Sequence, residues 1–117
     1  MKFAMQTTKL WLASLGLMAT ATAVRAEPPG VFYSWRATNT DVPQCITQAE
    51  EALMAQNLTA IQADATSVAG RSEDITAVFI CLDNAVSTPA STTVMIIVAG
   101  TDDEQTVAMR EALKTSF

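Results

Sequence analysis

Two runs of acidic residues are the strongest candidates for catalytic chemistry in this chain. Glu73 and Asp74 form one run, and Asp102, Asp103 and Glu104 form the other. Neighbouring carboxylates can act as general acid and base or bind a metal ion. Neither run has the alternating spacing of a calcium-binding loop. The pattern favours instead a solvated turn for the first run and a helix start for the second, where the helix dipole stabilises negative charge.

The chain contains no histidine. This excludes Ser-His-Asp and Cys-His catalysis and removes the commonest zinc ligand. The sequence also lacks a glycine-rich phosphate-binding loop. We therefore predict no catalytic residue, no metal site and no cofactor.

The N-terminal 26 residues have the pattern of a cleavable export signal. Lys2 and Lys9 precede an uncharged, largely apolar run of 15 residues over 10–24, which is shorter than the roughly 20 residues of a spanning helix. We predict cleavage after Ala26, with Ala23 as the competing position and an uncleaved membrane anchor as the alternative. The mature chain would then be periplasmic or secreted, with no stable membrane anchor.

Residues 27–117 are predicted to form one small domain. Loss of residues 1–26 removes three of the seven basic residues and none of the twelve acidic ones, which changes the net charge from −5 to −8. Nucleic acids and anionic lipids bind mainly through Lys and Arg. We therefore expect no nucleic-acid partner.

Cys45 and Cys81 are the only cysteines of the chain. An even cysteine count in an exported protein usually means a disulfide, and two cysteines allow one intramolecular pairing. Two separate buried thiols are the alternative. A redox-active pair is disfavoured because the chain has no Cys-x-x-Cys motif.

Hydrophobic periodicity predicts an α+β domain with the order β-α-β-β-β-α, a four-stranded, mostly antiparallel sheet and two helices packed on one face. The first helix is capped by Asp41, with Gln44 completing a capping box, and the last helix is opened by Thr101. The predicted strands cover 31–37, 60–65 with an extension to Ala69, 75–82 and 92–99, and the helices cover 42–57 and the residues after Thr101.

Two predicted strands have a distinctive pattern. In 75–82, Val78, Ile80 and Leu82 share one face and Ala77, Phe79 and Cys81 share the other. The strand 92–99 is apolar on both faces, which is typical of a central strand. An edge strand whose second face is covered by a partner subunit is the alternative.

Tyr33, Trp35 and Arg71 are the candidate interaction residues. Aromatic residues and Arg are favoured in binding hot spots, but an aromatic strand more often belongs to the core, which is the interpretation favoured for Tyr33 and Trp35. Arg71 is an isolated positive charge in a predicted turn beside Glu73 and Asp74. An exposed local salt bridge is favoured there over a binding contact.

Over 45–53, 68–71 and 76–81, the chain resembles small exported bacterial proteins of unassigned function that carry one cysteine pair. The Val-Ala-Gly at 98–100, before the last helix, fits the same pattern. The resemblance implies a Cys45–Cys81 pair and the element order given above. It implies no activity.

These observations lead to three functional hypotheses. The first is a non-enzymatic exported protein that binds another protein or itself, which a flat apolar sheet face would favour. The second is a carboxylate- or metal-dependent hydrolase, which needs a concave pocket joining the two acidic runs. The third is an acidic inhibitor or immunity-type protein, which an acidic projecting loop would favour because charge complementarity guides binding to a basic site.

Overall fold

The computed structural model describes residues 28–84 and 91–117. The predicted export signal and its cleavage site lie outside this part of the chain. Within the described residues, five strands and two helices follow one another in the order β-α-β-β-β-β-α. Their bounds are β1 Gly30–Thr38, α1 Val42–Ala55, β2 Thr59–Ala63, β3 Ser67–Arg71, β4 Ile75–Asn84, β5 Ser91–Gly100 and α2 Asp103–Lys114.

All five strands belong to one antiparallel sheet with the order β1-β5-β4-β3-β2. The first strand pairs with the last over its whole length, from Gly30 opposite Gly100 to Thr38 opposite Thr92. The prediction of an interior position for 92–99 is confirmed, because β5 lies between β1 and β4.

The prediction of four strands is wrong, because the segment taken as one strand from residue 60 towards Ala69 is a hairpin of β2 and β3. Asp64 makes the turn. Its carboxylate accepts hydrogen bonds from the backbone N–H groups of Thr66 at 2.9 Å and Ser67 at 2.8 Å, and from the Ser67 hydroxyl at 3.1 Å. An Asx-type turn of this kind reverses the chain within an alternating pattern. These donors, first the Thr66 N–H, also lower the pKa of the Asp64 carboxyl from its ordinary value of 3.8.

The predicted start of the first helix is confirmed. The Asp41 carboxylate accepts from the Gln44 N–H at 2.9 Å, and the Gln44 side chain accepts from the Asp41 N–H at 3.3 Å, which completes the capping box. The helix ends at Ala55, two residues before the predicted end. Asn57 follows with φ 62°, in the left-handed region that Asn tolerates and that ends helices.

The predicted start of the last helix is wrong by one residue. Asp102, not Thr101, is its N-cap, and the Asp102 carboxylate accepts from the Gln105 N–H at 2.9 Å. Asp103 and Glu104 occupy the first turn and Lys114 the last. Both ends therefore carry the charge that the helix dipole favours, as the sequence predicts.

The core contains one set of alternating strand residues together with residues of both helices. The predicted disulfide is confirmed, since Cys45 of α1 is bonded to Cys81 of β4 and both are buried. Phe79 of β4 also packs on the C-terminal Phe117, with ring centroids 5.2 Å apart. The buried apolar residues are Cys45, Ala49, Ala52, Leu53, Leu58, Val68, Ile75, Ala77, Phe79, Cys81, Val94, Ile96, Val98 and Leu113.

Candidate interaction surface

The other set of alternating strand residues forms a second sheet face that is also apolar. The predicted division of 75–82 into two faces is confirmed by this arrangement, because Ala77, Phe79 and Cys81 are buried and Leu82 is exposed. We name this second surface the apolar face. Its apolar members are Val31, Tyr33, Trp35, Ala69, Val78, Ile80, Leu82, Met95, Ile97 and Ala99.

Strand register aligns these residues in rows across four strands. One row contains Tyr33, Ile97, Val78 and Ala69, which are directly paired along β1, β5, β4 and β3. The next row contains Trp35, Met95, Ile80 and Ser67. Directly opposite side chains on one face of an antiparallel sheet lie about 5 Å apart. The apolar face is therefore continuous.

The aromatic side chains of β1 are the most exposed part of this face. Trp35 is 62% exposed, Tyr33 59% and Val31 58%, while Leu82 of β4 is 44% exposed. The interpretation that Tyr33 and Trp35 belong to the core is wrong. Their rings are stacked on each other, with centroids 6.1 Å apart and planes within 11°. Residues 78, 80, 95 and 97 are partly buried between their neighbours.

The two ends of the apolar face are polar. At one end, Asn84 donates to the Thr93 hydroxyl at 2.9 Å and to the Ser91 hydroxyl at 3.2 Å. At the other end lie Thr76 and its paired neighbour Arg71. The apolar centre is thus bordered by a polar rim, which is the anatomy of a protein interface.

Acidic residues in the described part of the chain lie away from the centre of the apolar face, and the Asp64 carboxylate, which accepts from the Ser67 hydroxyl at 3.1 Å, lies at its β3 border. They occupy the helices, the turns and, in the case of Asp83, the opposite side of β4, where the pairing partner is the buried Thr92. Arg71 at the corner is the charged side chain that the register places on this face. A chain of net charge −5 therefore has one sheet face nearly free of charge.

The predicted salt bridge of Arg71 with Glu73 or Asp74 is not formed. Within the described residues, the structure has one ion pair, between Arg110 and Glu111 at 2.9 Å. Arg71 is exposed, and its carbonyl accepts from the Thr59 hydroxyl at 3.2 Å.

The free edge of β1 is held by two arginines that the sequence analysis did not single out. Arg110 of α2 donates to the Tyr33 carbonyl at 3.4 Å, and Arg36 donates to the Lys114 carbonyl at 3.1 Å. These contacts join residues more than 70 positions apart, so no local sequence pattern predicts them. The Arg110 contact also occupies one backbone carbonyl of an edge strand that would otherwise be available for pairing with another chain.

The two acidic runs lie at the same end of the sheet without forming a site. Ile75, which follows Asp74, is paired with Gly100 before Asp102. In the described part of the chain, no three side chains of the metal-ligating types Asp, Glu, Cys and His come together. Two surface hollows, of about 340 Å³ at Pro43–Glu51 and about 280 Å³ at Gln62–Ala69, do not include the acidic runs.

Among the described residues, no helix is both long and apolar enough to cross a membrane. No protein-family model matches the sequence, and no curated protein matches it either.

Proposed function

We propose that this protein is an exported, non-enzymatic interaction module that binds through the apolar face. The observation that carries the proposal is the exposure of Tyr33, Trp35 and Val31 beside the in-register apolar rows of β5 and β4. Contiguous exposed apolar patches with a polar rim are typical of binding surfaces. Exposed Tyr and Trp are the residue types that most often dominate binding energy.

The position of the helices supports this choice of face. Cys45 of α1 is bonded to Cys81, and Leu113 of α2 belongs to the same buried cluster as Phe79. We infer that both helices pack on this one side of the sheet. The apolar face is then the side that neither helix covers, and a partner is the remaining way to bury it.

The size of the apolar face suits a small specific interface. Four neighbouring strands spaced by about 4.8 Å, each contributing about 20 Å of length, give a projected area of about 400 Å². Accessible area exceeds projected area because side chains protrude. Specific interfaces need about 500 Å² or more from each partner.

The disulfide supports the exported location. Cys45 and Cys81 are bonded and fully buried, and such bonds persist mainly in oxidising compartments. The export signal predicted over residues 1–26 agrees with this. We therefore place the interaction in the periplasm or outside the cell.

Site-specific photo-crosslinking in the intact cell envelope tests the proposal. A photoreactive amino acid at position 33 on the apolar face is compared with one at position 54, because Met54 on α1 is 54% exposed and Tyr33 is 59% exposed. We expect a discrete protein adduct from position 33 and none from position 54. Absence of any adduct from position 33, or equal adducts from both positions, would contradict the proposal.

A further inference from the structure

We propose that the occupant of the apolar face is a second copy of this chain, packed face to face about a two-fold axis parallel to the strands. This inference rests on the proposed function and identifies its partner. It follows from the distribution of large and small side chains over the face.

In the two central rows of the apolar face, side-chain size decreases from β1 to β3. The β1 border carries the large and protruding Tyr33 and Trp35, while the β3 border carries Ala69 and Ser67 in the same rows. The strands between them, β5 and β4, carry aliphatic side chains of similar size. The face therefore has a ridge on one side and a hollow on the other.

A two-fold axis in the interface and parallel to the strands reverses the strand order between the two copies. It places β1 over β3 of the partner subunit and β5 over β4 of the partner subunit. Tyr33 then faces Ala69 of the partner subunit, and Trp35 faces Ser67 of the partner subunit. The ridge of each copy fills the hollow of the other, so the same contact occurs twice, as a symmetric interface requires.

The other two-fold arrangement of two facing sheets does not give this fit. An axis perpendicular to the strands superposes β1 on β1, so that aromatic rings oppose aromatic rings and the small residues face each other across a void. Voids forfeit packing energy because protein interiors and interface cores are close-packed. Both axes keep the strands of the two sheets aligned, which is the common packing of β-sandwiches, so the fit of the side chains decides between them.

Charge also fits a second copy. Two molecules with the same negative net charge repel each other, and this repulsion is smallest where acidic groups stay out of the contact. The described acidic residues lie off the centre of the apolar face, and the Asp64 carboxylate at the β3 border accepts hydrogen bonds from Thr66 and Ser67 of its own chain. Arg71, at the corner of the face, lies opposite Val31 of the partner subunit at the rim. A long arginine side chain can keep its charge in water there.

Sedimentation and fluorescence of the exported protein test the pairing. The full-length chain is expressed with its own N-terminal segment in an exporting host, and the recovered product is identified by intact mass. Trp35 is the one tryptophan of residues 27–117, so its emission reports whether the apolar face is covered. We expect the sedimenting mass to double with rising concentration, together with a blue shift of the emission.

A size exchange tests the register. Ala69→Tyr fills the hollow and should weaken self-association at least tenfold, whereas the matched substitution Ala55→Tyr, at an exposed position of α1, should leave it unchanged. The double variant Tyr33→Ala/Ala69→Tyr exchanges the large and the small side chain of this row. Tyr at position 69 then faces Ala at position 33 of the other copy, and association should be restored. Circular dichroism and unfolding midpoints verify that each variant is folded.

The outcomes separate this inference from the proposed function. A chain that stays monomeric at millimolar concentration, or a double variant that associates no better than Ala69→Tyr alone, overturns the pairing. A photo-adduct from position 33 whose mass is not that of two chains also overturns it, while the proposed function stands. Absence of any adduct overturns both.

Discussion

Tyr33 and Trp35 stack on each other, with centroids 6.1 Å apart, on the sheet face opposite the one that carries the Cys45–Cys81 bond. Both rings are more than half exposed. Residues two positions apart in a strand lie on the same face of the sheet, so these two rings are neighbours and can stack. The largest aromatic side chains of β1 thus stabilise one another without entering the core.

We expect the two sides of the sheet to differ sharply in their contribution to folding. Phe79→Ala, which empties a fully buried site, should lower the free energy of unfolding by about 4 kcal/mol. Trp35→Ala should lower it by less than about 1 kcal/mol because the side chain is largely exposed. Urea unfolding at a protein concentration where sedimentation gives the mass of a single chain measures both. A loss for Trp35→Ala as large as that for Phe79→Ala would place Trp35 in the core.

The disulfide is expected to supply a large share of the stability. Cys45 and Cys81 are 36 positions apart, and closing a loop of that length stabilises the folded state by about 4 kcal/mol in the chain-entropy model. The double variant Cys45→Ala/Cys81→Ala should therefore unfold at a much lower denaturant concentration. Alkylation of the unreduced native protein is the control, and modification of either cysteine would show that the bond is absent.

Substitutions at two adjacent positions, Thr101 and Asp102, test which residue caps the last helix. Asp102→Ala removes the acceptor for the Gln105 N–H and should lower the free energy of unfolding by about 1 kcal/mol. Thr101→Ala is the matched control and should have little effect, since Thr101 is exposed and lies outside the helix. Unfolding midpoints of the two variants decide between them. A larger loss of stability for Thr101→Ala than for Asp102→Ala would show that Thr101 caps the helix, as predicted from the sequence.

The Asp64 turn gives stability a dependence on pH. Hydrogen bonds from Thr66 and Ser67 lower the pKa of this carboxyl in the folded state below 3.8. The ionised carboxylate therefore stabilises the fold above about pH 4, and that contribution is lost as the pH falls through the lowered pKa. The difference in unfolding midpoint between the wild type and Asp64→Ala should be constant near neutral pH and shrink below pH 4. A difference that grows on acidification would contradict the assignment.

Local patterns were sufficient for the elements whose signals lie within one turn or one strand. The capping box of Asp41 and Gln44 needs only four residues, and the alternation over 75–82 needs only one strand. The hairpin at Asp64 was missed because an alternating pattern continues across it. A single acceptor side chain reverses the chain there, and alternation alone does not show this.

The sheet face on which Tyr33 and Trp35 lie is determined by pairing with β5, which is far away in the sequence. In β1, both alternating sets contain aromatic residues, so the strand itself does not say which set is buried. Pairing of Phe32 with Val98 and of Tyr33 with Ile97 decides it, because Val98 is in the core. The pairing of β1 with β5, and not the sequence of β1 alone, therefore determines which side chains form the candidate surface.

That pairing of the first strand with the last also dictates when the sheet can be completed. Gly30 and Gly100 are opposite each other, as are Thr38 and Thr92, so among the described strands β1 pairs with residues 54 to 70 positions later in the chain. Folds dominated by such non-local pairings have high contact order and fold on the slow side, in milliseconds to seconds. During synthesis, β1 therefore stays unpaired with β5 until the residues through Gly100 have been made.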